Sequence, residues 1–149
     1  MLFLLFTLGN ARYGLEAKQV IEVVPVVPLR KMPHAPEIIA GCFNYRGAVV
    51  PVVSLQQLVA QEPCANHLST RIVIVTYTTA RGTEHPLGLM ADNVTEAVQI
   101  APEDFKPTGL TLTQAPYLGG IAVKHKDLIQ FLQINRLLPP SVQDSIFRS

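Results

Sequence analysis

The chain has 149 residues, a net charge of +1 and two cysteines, with 48% apolar and only 15% charged residues. That length holds one ordinary domain with a substantial core, and a charge content below the ~25% usual for globular domains leaves some apolar surface for partners. Without a basic run there is no stripe to neutralise phosphates, which excludes a nucleic-acid binder, and no segment approaches the ~20 apolar residues that cross a bilayer. In chain order, the dominant signal is short β-branched runs bounded by turn residues. Leu2–Leu8 reads as a strand, Gly9-Asn10 as a turn and Tyr13–Leu15 as the return. Ala17–Val20 reads as one helical turn leading into Ile21–Val24, which Pro25 and Pro28 confine to a strand end or sheet edge. Pro33 and Pro36 bracket a loop, with a short helix expected at Glu37–Ala40. Gly41–Tyr45 and Ala48–Val53 form a hairpin around Arg46-Gly47, and Leu55–Val59 is a short helix that Ser54 would cap. Gln61–Ser69 reads as a linker between two lobes, in a domain ending near residue 139. Arg71–Tyr77 and His85–Ala91 pair across Arg81-Gly82; Asp92-Asn93 turns again into Val94–Ile100. After a loop marked by Pro102 and Pro107, Tyr117–Val123 and Leu128–Leu132 make a last hairpin. Ile134–Leu138 closes as a short helix, and the tail from Pro140 is expected to fray. Several strands followed by one helix in each half argue for an all-β chain of two small packed barrels, not a βαβ sheet.

Chemistry-bearing patterns are sparse. There is no Gly-x-Ser-x-Gly, and the four histidines and two cysteines show no metal-ligand spacing. Glu103-Asp104 follows Pro102 as helix-opening acids do. No catalytic group, cofactor or metal is expected. Cys42 and Cys64 read as free thiols, and the apolar Met1–Phe6 lacks the basic start and cleavage site of a signal peptide, so a cytoplasmic chain is expected. What remains is a binding surface. Arg46 lies in a turn between Gly41 and Gly47, and arginine's rigid fork of donors suits interface anchors. Glu22, between apolar neighbours, should point away from them toward solvent or a partner and could pair with Arg46 to orient it. A ligand-binding barrel or an enzyme with an unrecognised site stays open as the alternative.

The ordered blocks resemble the CheW family. They are Phe3-Leu4-Leu5-Phe6-Thr7-Leu8-Gly9, Val20-Ile21-Glu22-Val23, Asn44-Tyr45-Arg46-Gly47 with Val49-Val50-Pro51-Val52-Val53, Ile72-Val73-Ile74-Val75, Gly88-Leu89-Met90-Ala91-Asp92-Asn93-Val94 and Tyr117-Leu118-Gly119-Gly120-Ile121. The resemblance runs from about Leu2 to Leu138. It implies two intertwined five-stranded Src-homology-like barrels. It implies a non-catalytic adaptor, monomeric when free, that binds the cytoplasmic tip of a chemoreceptor and a CheA-type histidine kinase and reaches the membrane only through these partners. Carried over by position, the binding residues are Val20, Glu22, Gly41, Asn44, Arg46, Gly47, Ile72, Val73, Gly88 and Ala97. A helix docked in an apolar groove between the lobes is the implied mode. Departures at Tyr45, Ser54, Ala97 and Asn135-Arg136 suggest an accessory system such as the Wsp type.

Overall fold

A hairpin of β1 (Leu2–Leu8) and β2 (Ala11–Glu16) starts the chain, turning at Gly9-Asn10. The computed structural model describes residues 1–62, 67–108 and 115–147. A 3-10 turn at Ala17–Gln19 leads into β3 (Val20–Pro25), and β4 (Ile39–Tyr45) pairs with β5 (Ala48–Ser54). Helix α1 (Leu55–Ala60) follows at once, because Ser54 Oγ accepts from the Gln57 amide at 3.2 Å as an N-cap should. β6 (Thr70–Thr78) and β7 (Glu84–Gln99) form a long hairpin, and β8 (Leu118–Lys124) with β9 (Asp127–Leu132) the last one. A 3-10 turn at Ile134–Arg136 and helix α2 (Pro140–Ile146) end the described chain.

The pairings divide these strands into two barrels that share β7. In the first, the order is β4-β5-β7-β6-β3; in the second it is β7-β1-β2-β9-β8. The expected all-β class and the five-stranded barrels are therefore what the strands build. Each barrel is tightened by a loop strand crossing a hairpin. Arg30 and Cys42 exchange two backbone hydrogen bonds of 2.9 Å beside β4, and Lys106 and Ile121 exchange two of 2.9 Å beside β8. Val52, Ile72, Ile74 and Met90 fill the first barrel with Val24, Phe43 and Tyr45. Phe3, Leu5, Ile100, Ala122 and Ile129 fill the second, where Phe3, Phe105 and Phe131 meet edge-on or tilted. Between them lies the largest core, drawing on both barrels and on Ile134, Leu137 and Leu138.

Several expectations are corrected. The barrels are not successive halves: the first is inserted into the second, and the chain passes between them at Ala17–Gln19 and within β7. Asp92-Asn93 is not a turn between two strands. β7 runs through it, bends where Asn93 takes φ +49°, and exchanges β6 for β1 as its partner. The expected linker Gln61–Ser69 falls between α1 and β6 in the chain, and its residues 63–66, Cys64 among them, lie outside the described residues. The helix expected at Glu37–Ala40 is a single turn closed by the Ile39 amide on the Pro36 carbonyl, after which Ile39 begins β4. Nor does the tail fray as far as Phe147, the last described residue. Gln143 on α2 is buried; its amide nitrogen donates to Tyr77 Oη and the Leu138 carbonyl, and its Oε1 accepts from the Ala80 amide. Phe147 stacks between Tyr77 and His85. Satisfying a buried polar side chain on three sides fixes the helix to the β6–β7 hairpin.

Candidate functional site

The β4–β5 hairpin closes through a two-residue loop, Arg46-Gly47, with φ +51° and +90°. Positive φ at both central residues marks the turn whose twist matches a hairpin. Glycine enters that region freely, whereas arginine there costs about 1–2 kcal/mol. The surroundings hold the conformation in place. Asn44 Oδ1 accepts from the Gly47 amide at 2.8 Å, and the Arg46 Nη2 donates to Glu22 Oε1 at 2.8 Å. The arginine side chain is 74% exposed, so the guanidinium is both oriented and available.

Glu22 reaches this turn because of a bulge. Val20 stands opposite Val75, but Glu22 stands opposite Ile74, so Ile21 is an extra residue that reverses the alternation. Glu22 points away from its apolar neighbours, as expected, and its partner is Arg46; what differs is that those neighbours are the exposed ones. Ile21 and Val23 face out, while Glu22 turns to the mouth of the first barrel, half-buried. There its Oε1 also accepts from the Tyr45 hydroxyl at 2.5 Å, and the Arg46 Cζ lies 5.1 Å from the centre of the Tyr45 ring. The phenol of Tyr45 is pushed above its ordinary value of 10.0. Its hydrogen bond to Glu22 is the main cause, partial desolvation and the carboxylate's charge add to it, and the Arg46 charge opposes it.

Glu22, Asn44, Arg46 and Gly47 thus lie at the mouth of the first barrel, whereas Val20, partly buried, packs against the shared core opposite Val75, and the remaining candidates do not join them at the surface. Ile72 and Val73 are completely buried, one pointing into the first barrel and the other into the shared core. A side chain sealed in a core shapes the wall and cannot touch a partner. Gly41 is buried under the crossing strand, where an added Cβ would lie 2.7 Å from the Arg30 carbonyl oxygen. Gly88 is buried too, with an added Cβ only 2.9 Å from Ile72 Cγ2. Both are glycine because backbone or side chains approach closely. Ala97 is exposed, but on the second barrel, opposite Leu4 of β1.

Comparison with known proteins places this geometry. The CheW-like domain profile matches residues 2–141. The chain belongs to the CheW-like domain family. It is 26% identical to a chemotaxis protein CheW of Klebsiella aerogenes over 139 residues, covering 91% of this chain and 80% of that protein. A chemotaxis protein CheW of Helicobacter pylori is 27% identical over 137 residues, again covering 91% and 80%. Among solved structures, the scaffolding protein TtCheW of Thermoanaerobacter tengcongensis superposes with a TM-score of 0.79 at 29% identity, over 95% of this chain and 89% of that one. CheW proteins are non-catalytic scaffolds that link receptors to the kinase CheA, and the chain is a coupling adaptor of chemotaxis-type signalling.

Within this CheW-like domain, Tyr45 is the site residue that sequence reasoning passed over. It stood out only as a departure from leucine. A phenol one residue before an arginine in a two-residue turn, with a glutamate on a neighbouring strand, was the signal available. No helix among the described residues is long and apolar enough to cross a membrane.

Proposed function

We propose that the Arg46 turn receives the helical-hairpin tip of a chemoreceptor's cytoplasmic region, while a CheA-type histidine kinase binds elsewhere on the domain. The chain itself performs no catalysis and works in the cytoplasm, held at membrane receptor arrays by these partners. The observation that carries the reading is an exposed arginine fixed in a left-handed turn by Glu22 and Asn44. Strain held by its surroundings is a mark of functional positions. A guanidinium oriented before contact loses less entropy on binding than a free one. The outward-facing Ile21 and Val23 of β3 supply apolar surface for an amphipathic helix. The alternative of a ligand-binding barrel finds less support, since both barrel interiors are filled by side chains. The departures at Tyr45, Ser54, Ala97 and Asn135-Arg136 support an accessory pathway of the Wsp type.

Arg46→Ala tests the reading. With a soluble fragment carrying a receptor tip, binding should weaken by about 1–4 kcal/mol, the range of interface anchors, while the fold and kinase binding persist. A folded variant that binds the receptor fragment unchanged would remove Arg46 from the interface.

A further inference from the structure

We propose that Tyr45 is the positioning residue of the Arg46 site: its hydroxyl pins Glu22 and its ring carries the guanidinium, so the cation is presented in one orientation. An exposed Arg–Glu pair alone is a weak restraint. Two long side chains must be held in one geometry, and such pairs contribute little in water. Here the shared acceptor changes the situation. Glu22 Oε1 takes the Tyr45 hydroxyl at 2.5 Å and the Arg46 Nη2 at 2.8 Å, so the carboxylate is fixed from the barrel side before the arginine reaches it.

The phenol can act as an anchor because its own ring is packed. Tyr45, partly buried, packs against the core of the first barrel and meets Phe43 edge-on at 6.2 Å. Its hydroxyl emerges at the mouth, where a charge-assisted bond to a carboxylate is stronger than a neutral one. Its face lies 5.1 Å from the guanidinium carbon, within the range of a cation–π contact. Arg46 is thus held by its strained backbone, by Glu22 at one edge and by an aromatic face beneath. A leucine at this position would supply neither the donor nor the face. That a receptor tip meets this cation rests on the proposed function; the positioning itself does not.

Two measurements separate these claims. The first needs no partner: nitrogen-15 relaxation and hydrogen exchange at the Arg46 side-chain Nε–H in the free protein. Tyr45→Phe, which keeps the ring packing, should lower the order parameter of that group and speed its exchange several-fold. Tyr45→Leu should do so further, and backbone shifts away from the turn should stay unchanged. An Arg46 side chain equally ordered in all three proteins would overturn the proposal. The second uses the soluble receptor-tip fragment as probe. Tyr45→Phe should weaken binding two- to tenfold, and adding it to Arg46→Ala should cause no further loss, because its effect passes through the arginine. Additive losses, or an Arg46→Ala effect with none from Tyr45→Phe, would also overturn it. No effect of Arg46→Ala would instead remove the proposed function, leaving the relaxation data to decide the positioning.

Discussion

The two barrels end in the same device, and only one of them braces it. The β4–β5 and β8–β9 hairpins each place a glycine, Gly41 or Gly120, beneath a crossing strand, and an added Cβ would lie 2.7 Å from a backbone carbonyl oxygen in both. Both close through two-residue turns with positive φ, at +51° and +90° for Arg46-Gly47 and at +50° and +70° for His125-Lys126. In the first turn Glu22 and Tyr45 hold the cation and Asn44 holds the backbone through the Gly47 amide. In the second, neither His125 nor Lys126 has a side-chain hydrogen bond or ion pair among the described residues. Beneath it only the neighbouring Asp127 is paired, with Arg12 at 2.8 Å. Backbone strain is therefore a property of the hairpin, and the bracing of a side chain is what distinguishes a site.

The largest expected effect contrasts inward- and outward-facing residues behind the turns. Val50 and its counterpart Ile129, each in the third pair from its turn, are fully buried, while one pair nearer the turns Val49 is 73% and Leu128 62% exposed. Val50→Asp should cost at least about 4 kcal/mol and unfold the domain in a thermal melt, because an unpaired charge is buried. Leu128→Asp should change stability by no more than about 0.5 kcal/mol. If both variants melted alike, the assignment of inward- and outward-facing positions in the hairpins would be lost. Next come the crossing glycines. Gly120→Ala should cost about 1–3 kcal/mol by overpacking. Gly41→Ala should cost more in urea titration, since Gly41 also holds φ +149°, where a side chain is strained.

The smallest effect concerns pH. Tyr45 is raised above 10.0 chiefly by Glu22, so Glu22→Gln should lower its titration midpoint, followed by ultraviolet absorbance or NMR. Tyr13, Tyr77 and Tyr117 are also raised, mainly by burial. Each of these groups holds its proton more tightly folded than unfolded. Their contribution to stability is complete below pH 10.0 and is lost as pH rises through the folded values. Stability should therefore fall in alkali above that point; a constant melting temperature there would contradict the assignment.

Much of this fold is legible in the sequence because local signals carry it. β-branched runs mark the strands, and Ser54 marks the start of α1. What stays hidden depends on contacts between distant residues. Asp92-Asn93 reads as a turn, yet β7 continues because β1 waits to pair with it. That Glu22 opposes Ile21 and Val23 is legible, but which side faces the barrel mouth depends on the bulged residue, Ile21. Pro140–Ile146 reads as a tail until Gln143 finds Tyr77. At the site, the arginine and its glutamate are legible as types, whereas Ile72 and Val73, named as binding residues only by the family resemblance, are enclosed by the two cores from both faces of β6.

The central claim is that bracing makes the Arg46 turn the receptor-binding one. The direct measurement compares Arg46→Ala with Lys126→Ala, the cation in the corresponding turn of the other barrel, by calorimetric titration of each folded variant with a receptor-tip fragment. The account predicts a loss of about tenfold or more for Arg46→Ala, equivalent to about 1.4 kcal/mol, and less than twofold for Lys126→Ala. Equal losses, or a larger loss at Lys126, would contradict it.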